Sequence, residues 1–171
     1  MDGVLNSEDW YKERYPEWRA RAQDMDDKEY HKWEFDPKAV DVLNKIIEQT
    51  QADIVVSSTW RSMPSIKEIL AYAGVKGNVV GITPRLWWND IEANMPFNDR
   101  APSLPRGLEI EAYLYHTHPE YSVREQVRYV ILDDDSDMLY RQKDKFIHTS
   151  WWHGLTTEHI EIAVNILNKE N

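Results

Sequence analysis

The sequence predicts an α/β protein in which a parallel β-sheet carries helices on both faces. Three short runs of β-branched and apolar residues support this: Ile54-Val55-Val56, Val79-Val80-Gly81-Ile82 and Tyr129-Val130-Ile131-Leu132. Segments of helical periodicity separate the runs, and that alternation builds parallel sheets. Polar clusters follow two of them directly: Ser57-Ser58-Thr59, and Asp133-Asp134-Asp135-Ser136-Asp137. Open α/β sheets bind ligands beyond the carboxyl ends of their strands, where these clusters fall.

Taken in order, the chain opens Met1-Asp2-Gly3-Val4-Leu5-Asn6, with a further acid at its start. Residues 7–35 are charged and aromatic, with Trp10, Tyr11, Tyr15, Trp18, Tyr30 and Trp33. One or two short helices packed by these rings are expected there, with Pro16 breaking any single helix. Asp36-Pro37 supplies an N-cap and a first-turn proline, and Val40, Leu43, Ile46 and Ile47 recur at helical spacing, so a helix is expected over about 37–50. The strand at 54–56 is short and apolar, as a buried parallel strand is. A helix from Ser62 to Tyr72 follows, with Pro64 near its start and Gly74 as its stop. After the strand at 79–82, residues 83–105 hold Pro84, Pro96, Pro102 and Pro105 and no clear period. A long loop is expected there, and such loops tend to be functional. A helix over 107–116, the strand at 129–132, a short strand at Phe146-Ile147 and a final helix capped by Thr156 or Thr157 complete the reading.

At 171 residues the chain suits one domain with at most a small insertion. It has no cysteine, so disulfides and thiolate chemistry are excluded. No apolar run approaches a membrane span, and residues 1–20 are too polar for a signal peptide, so a cytoplasmic protein is expected. Lys and Arg total 20 against 30 Asp and Glu, a formal net charge of −10. That balance opposes binding to long nucleic acid, yet it permits a small phosphorylated substrate or a nucleic-acid end held with a metal ion. No internal repeat or low-complexity tract is present.

Three constellations carry chemistry. Asp133, Asp134 and Asp137 offer hard oxygen ligands of the kind Mg²⁺ takes, although an acidic run is also an ordinary solvated turn. Ser57, Ser58 and Arg61 bring hydroxyls, the amides that begin the next helix and a guanidinium, which together suit phosphate; strand ends and helix caps also use Ser and Thr for structure alone. Arg106 opens a helix from which it can reach inward to neutralise phosphate charge, or simply stay exposed. His116, His118, His148 and His153 match no zinc spacing and read as surface or helix-end residues.

In their order, these pieces resemble the haloacid dehalogenase-like (HAD) superfamily. Met1-Asp2-Gly3-Val4-Leu5-Asn6 resembles its first motif, D-x-D-G-[TV]-L; Ile54 to Ser58 resembles the second, a strand ending in Ser or Thr; Arg106 stands where the third has Lys or Arg; Tyr129 to Asp137 resembles the fourth, an apolar strand followed by acids. Ser57-Ser58-Thr59-Trp60-Arg61, Arg106-Gly107-Leu108-Glu109-Ile110 and Gly154-Leu155-Thr156 resemble most closely the phosphatase-like domain of the Swiss Army knife RNA repair proteins, which has stand-alone relatives in bacteria and phages. The resemblance covers nearly the whole chain. It implies a Rossmann-like three-layer parallel sheet in a single domain spanning 1–171, with 7–35 as a small helical cap. It implies a Mg²⁺-dependent phosphomonoester hydrolase acting on a nucleotide, a nucleic-acid end or a small metabolite through an aspartyl-phosphate. Asp2 would be general acid/base and metal ligand. Ser57, Ser58 and Arg61 would bind phosphate, Arg106 would stabilise the transferring group, and Asp133, Asp134 and Asp137 would serve the metal.

One departure stands out. Met1 fills the motif's variable position, so the attacking aspartate and the apolar first strand that carries it are expected ahead of residue 1. Three accounts follow: a sequence truncated at its N-terminus, which is the favoured one; a phosphate- or nucleotide-binding protein without turnover; or a strand supplied by another chain, giving a homodimer. A partner surface on the aromatic segment 7–35 is a further, non-enzymatic reading.

Overall fold

The computed structural model describes residues 2–21, 24–86 and 104–169, with only the backbone at 18, 27 and 28. The expected loop at 83–105 therefore lies largely outside the described residues, as does Met1. The described chain runs α1 (Glu8–Arg21), α2 (Asp27–Trp33), α3 (Pro37–Thr50), β1 (Ile54–Val56), a 3₁₀ turn (Thr59–Ser62), α4 (Ile66–Tyr72), β2 (Val79–Ile82), α5 (Arg106–Thr117), α6 (Tyr121–Arg124), β3 (Ile131–Asp133), a second 3₁₀ turn (Tyr140–Lys145), β4 (Phe146–His148) and α7 (Glu158–Asn168). This is an α/β architecture with few strands.

The best-specified element is α3. Asp36 is its N-cap and accepts from the Lys38 amide at 2.8 Å, Pro37 occupies the first turn, and Gln51 closes it in a left-handed conformation. The apolar stripe of α3 packs against α7, where Ala163 is fully buried. Phe35, 1% exposed, enters the same core from the residue before the cap, a burial worth about 2–3 kcal/mol.

Both pairs of strands are parallel. β1 pairs with β2 (Val55 opposite Gly81, Val56 opposite Ile82, with a register shift after Ile54), and β3 pairs with β4 (Ile131 opposite Phe146, Asp133 opposite His148). Among the described residues these remain two separate two-stranded sheets. The core is divided to match. The larger cluster joins α3, α4, α7, β1 and the start of β2; the smaller gathers Ile110, Leu114 and Ile131, with Tyr129 and Phe146 against them.

Three local expectations need correction. Pro16 does not break the first helix: α1 is continuous through it. Pro16 is exposed, so water can bond the carbonyl its ring leaves without a donor. The helix expected from Ser62 begins only at Ile66, because Ser58 accepts from the Trp60 amide and closes a 3₁₀ turn first. The strand expected at 129–132 is Ile131–Asp133, since ladder partners are found only from Phe146 onward.

Candidate active site

The turn at residues 2–6 sits where three strands end. Thr149, just past β4, donates its hydroxyl to the Gly3 carbonyl at 2.6 Å; the Leu155 amide bonds Val4 O at 2.8 Å, and the Asp36 amide bonds Leu5 O at 2.8 Å. Gly3 has φ +63, a left-handed conformation that favours glycine. A Cβ there would lie 2.2 Å from Asp134 Cγ, so the carboxyl group after β3 rests directly against the turn. From the β1 side, Trp60 donates its indole N–H to Asp2 Oδ2 at 3.3 Å. The carboxyl ends of β1, β3 and β4 thus meet at Asp2-Gly3.

Asp2 is held on both oxygens. Asn6, fully buried, donates through Nδ2 to Asp2 Oδ1 at 2.9 Å and to the Tyr11 hydroxyl at 2.7 Å. Burial, and next the charge of Asp2, push the Tyr11 pKa well above its ordinary value, so it stays a neutral phenol. Burial likewise raises Glu34, which pairs with His31 at 3.0 Å, and His31 stacks edge-on against Trp60. Helices α1 and α2 therefore supply the polar neighbours on one side of Asp2. Trp10 ties them together by donating to Trp33 O at 3.1 Å, with the Arg14 guanidinium over both rings.

The remaining predicted residues divide. Ser57 Oγ, at the end of β1, is buried and without a hydrogen-bond partner, an acceptor and donor left open at the strand's carboxyl end. Ser58 is spent capping the 3₁₀ turn. Arg61 does not reach outward. It is 8% exposed, bonds the Ser57 carbonyl and bridges Glu109 at 2.7 Å to each carboxylate oxygen. Burial lowers its pKa while Glu109 raises it again. Arg61 thereby anchors the strand end that presents Ser57.

Arg106 is brought to the acidic run. Its backbone N–H donates to Asp137 Oδ2 at 2.7 Å, its Nε lies 3.7 Å from Asp133 Oδ2, and its Nη1 is buried without a partner. Asp133 Oδ1 accepts from the Asp135 amide at 3.1 Å, and Asp137 Oδ1 is buried and unpartnered. Burial raises the Asp134 pKa, and the charge of Asp133 adds to the rise. Among the described residues no group of three or more His, Cys, Asp or Glu is arranged to hold a metal ion. His148 Nε2 meets the Asp134 carbonyl at 2.8 Å and His153 pairs with Asp9, which accounts for both.

Residues 1–160 match the family model described as the HAD domain in Swiss Army Knife RNA repair proteins. The chain belongs to this family of HAD domains. No curated protein and no solved structure matches it. Within the HAD domain, reading the sequence missed Asn6, Tyr11, Trp60 and Thr149, all of which bear on the Asp2-Gly3 turn. Asn6 and Trp60 stand inside the segments already quoted for their motifs, so proximity to Asp2 and Ser57 was the available signal. Thr149 lies 146 positions from Gly3, and nothing local marks it. Among the described residues no helix is long and apolar enough to cross a membrane.

Proposed function

We propose that this HAD domain hydrolyses phosphomonoesters with the help of Mg²⁺, on a nucleotide, a nucleic-acid end or a small phosphometabolite. The observation that carries the reading is the meeting of three strand ends at Asp2-Gly3, together with Ser57 Oγ at the end of β1 and, at the acidic run after β3, Arg106 Nη1 and Asp137 Oδ1, all buried and unpartnered. Buried polar atoms are costly to leave unsatisfied, and an anion with its cation would satisfy a hydroxyl, a guanidinium and a carboxylate together.

In this reading the Ser57 hydroxyl bonds a phosphoryl oxygen, and Arg61 fixes Ser57 through its carbonyl. Arg106 sets positive charge beside the transferring group, poised by Asp133. Asp2, oriented by Asn6 and Trp60, protonates the leaving oxygen and later takes a proton from water. The donor set suits Mg²⁺, which keeps most of its waters and asks for one or two carboxylates. Asp134 is the first candidate to hold it, and Asp2, Asp133 and Asp137 are the others. When bound, the ion would offset the crowded negative charge of carboxylates and phosphate. The family motif sets its attacking aspartate two positions before Asp2, and the assay is run on a form that carries one there.

The test is hydrolysis of p-nitrophenyl phosphate, nucleotides and end-phosphorylated oligonucleotides by the chain extended ahead of Met1 with an apolar strand ending in Asp. Mg²⁺-dependent turnover is expected, falling by roughly 10²–10⁴-fold in Asp2→Asn. No turnover of any of these substrates by the extended form overturns the reading.

A further inference from the structure

A cavity of about 610 Å³ lies between the end of β2 and helix α5. Arg61, Ile82, Thr83, Arg85, Tyr113 and His116 line it. Its volume is that of a small-molecule cleft, for which roughly 300–1,000 Å³ is usual. The chemistry proposed above leaves this space unused.

Two of the lining residues carry a buried polar atom with no hydrogen-bond partner among the described residues. They are Thr83, 3% exposed, through Oγ1, and Arg61, 8% exposed, through Nε. Buried polar atoms are nearly always paired, so two of them on one cavity point to a ligand that bonds both. The charge of Arg61 is already answered by Glu109, which accepts from Nη2 at 2.7 Å on each oxygen. A second anion at Nε would compete with that carboxylate, and a neutral acceptor would not. The Thr83 hydroxyl can donate or accept. These groups therefore suit an uncharged edge that mixes acceptors with N–H donors, which is what a nucleobase presents.

The rest of the wall suits a flat ring. Tyr113 rests against the backbone of Gly81, where an added Cβ would come within 2.4 Å of the phenol oxygen and 2.9 Å of the ring. Glycine at 81 is what lets the aromatic ring settle there. Ile82 adds apolar surface and is 46% exposed. Bases stack readily on aromatic side chains. Arg85 and His116 are exposed and bring nitrogen groups to the rim.

The cavity is also tied to the end of β1. The Thr83 amide donates to the Val56 carbonyl at 3.0 Å, and Arg61 bonds the Ser57 carbonyl. Both unpartnered groups are thus fixed to the two residues that place Ser57 Oγ. We propose that the cavity is a nucleobase pocket. The base lies against Tyr113 with its polar edge on Arg61 Nε and the Thr83 hydroxyl, and its phosphate reaches toward Ser57. The phosphate end of this assignment rests on the hydrolase reading; the base end does not. It narrows the substrate to a nucleotide or the terminal nucleotide of a nucleic acid, because a small metabolite without a ring would leave Tyr113 and Ile82 uncovered. The net charge of −10 favours one terminal nucleotide over a long strand.

The experiment titrates the 171-residue chain with adenosine, guanosine, cytidine and uridine, with ribose as control, and follows the amide signals of Thr83 and Tyr113 by NMR. At least one nucleoside should shift both signals and bind about tenfold or more tighter than ribose. Its 5′-monophosphate with Mg²⁺ should bind roughly tenfold tighter again. Thr83→Val removes the hydroxyl, and Ala112→Phe fills the cavity from α5, where Ala112 is only partly buried. Each should weaken the nucleoside by roughly tenfold. The second variant keeps the test open if the first fails to fold. Nucleosides that bind no better than ribose overturn the proposal, as does binding that survives Ala112→Phe. A monophosphate no tighter than its nucleoside overturns the link to Ser57. Nucleosides carry no phosphate, so the two readings fail separately: nucleoside binding without phosphatase activity counts against the hydrolase alone, and turnover without nucleoside binding counts against the pocket alone.

Discussion

At the scale of single residues, Gly3 sets the spacing on which the site depends. Its φ of +63 would strain any other side chain, and a Cβ would collide with the Asp134 carboxyl. Gly74 makes a useful comparison: its φ is +89, yet nothing lies within 4 Å of the added carbon. Gly74→Ala should therefore show the backbone strain alone, about 1–2 kcal/mol. Gly3→Ala should cost a further 1–3 kcal/mol, roughly, from the clash. Urea unfolding of the two variants measures both. Equal losses would mean that Asp134 does not rest on the turn. Gly3 and the acids were readable as motif residues, but their contact was not, because it spans more than a hundred positions. Asn6 is only four positions from Asp2, yet its commitment was hidden too, because the residue is a plain polar neighbour until the turn folds it back.

At the scale of elements, the Arg61–Glu109 pair ties the 3₁₀ turn after β1 to helix α5, 48 positions later. Both side chains are nearly fully buried, at 6% and 5% exposure. Arg61→Leu leaves a buried carboxylate without its partner and should cost about 3–5 kcal/mol. Adding Glu109→Leu removes the stranded charge and should recover most of the loss, since apolar replacements of buried pairs are often neutral or better. Urea denaturation of the single and double variants tests this; a double variant no more stable than Arg61→Leu alone would show that Glu109 finds another partner. Sequence reading took Arg61 for a phosphate contact because guanidinium beside a serine pair is what phosphate asks for. The decisive partner, Glu109, stood in a segment already quoted for its resemblance, but nothing local tied it to Arg61 48 positions away. By contrast α3 was legible nearly to the residue, because caps, first-turn proline and apolar period are all local signals. Helix α1 ran through Pro16 for a reason of context, namely exposure, that a proline rule applied to sequence does not contain.

At the scale of the whole molecule, the strands could be recognised but their assembly into two half-sheets could not. Pairing order depends on contacts between segments such as 54–56 and 131–133, far apart in the chain, and each strand's apolar run is compatible with several neighbours. The division also leaves the smaller core thin, and Tyr129 is placed to report on it. Packed against Ile110, Leu114 and Ile131, its phenol is pushed up to about 12, first by burial and then by the charge of Glu111. The folded protein therefore holds the Tyr129 proton more tightly than the unfolded chain, whose tyrosines titrate near 10. The stabilisation is complete below about pH 10 and is lost as pH rises from there through about 12. Tyr129 is partly exposed, so solvent screening reduces the full linkage to about 1 kcal/mol. Rising pH also adds charge to a molecule already at −10, which weakens the fold generally. Tyr129→Phe separates the two effects, because it removes the titrating group and leaves the rest of the charge unchanged. Urea unfolding at several pH values between 9 and 12 should show a shallower fall for the variant than for the parent. Parallel curves would mean that the phenol titrates alike in both states and that the smaller core does not enclose it.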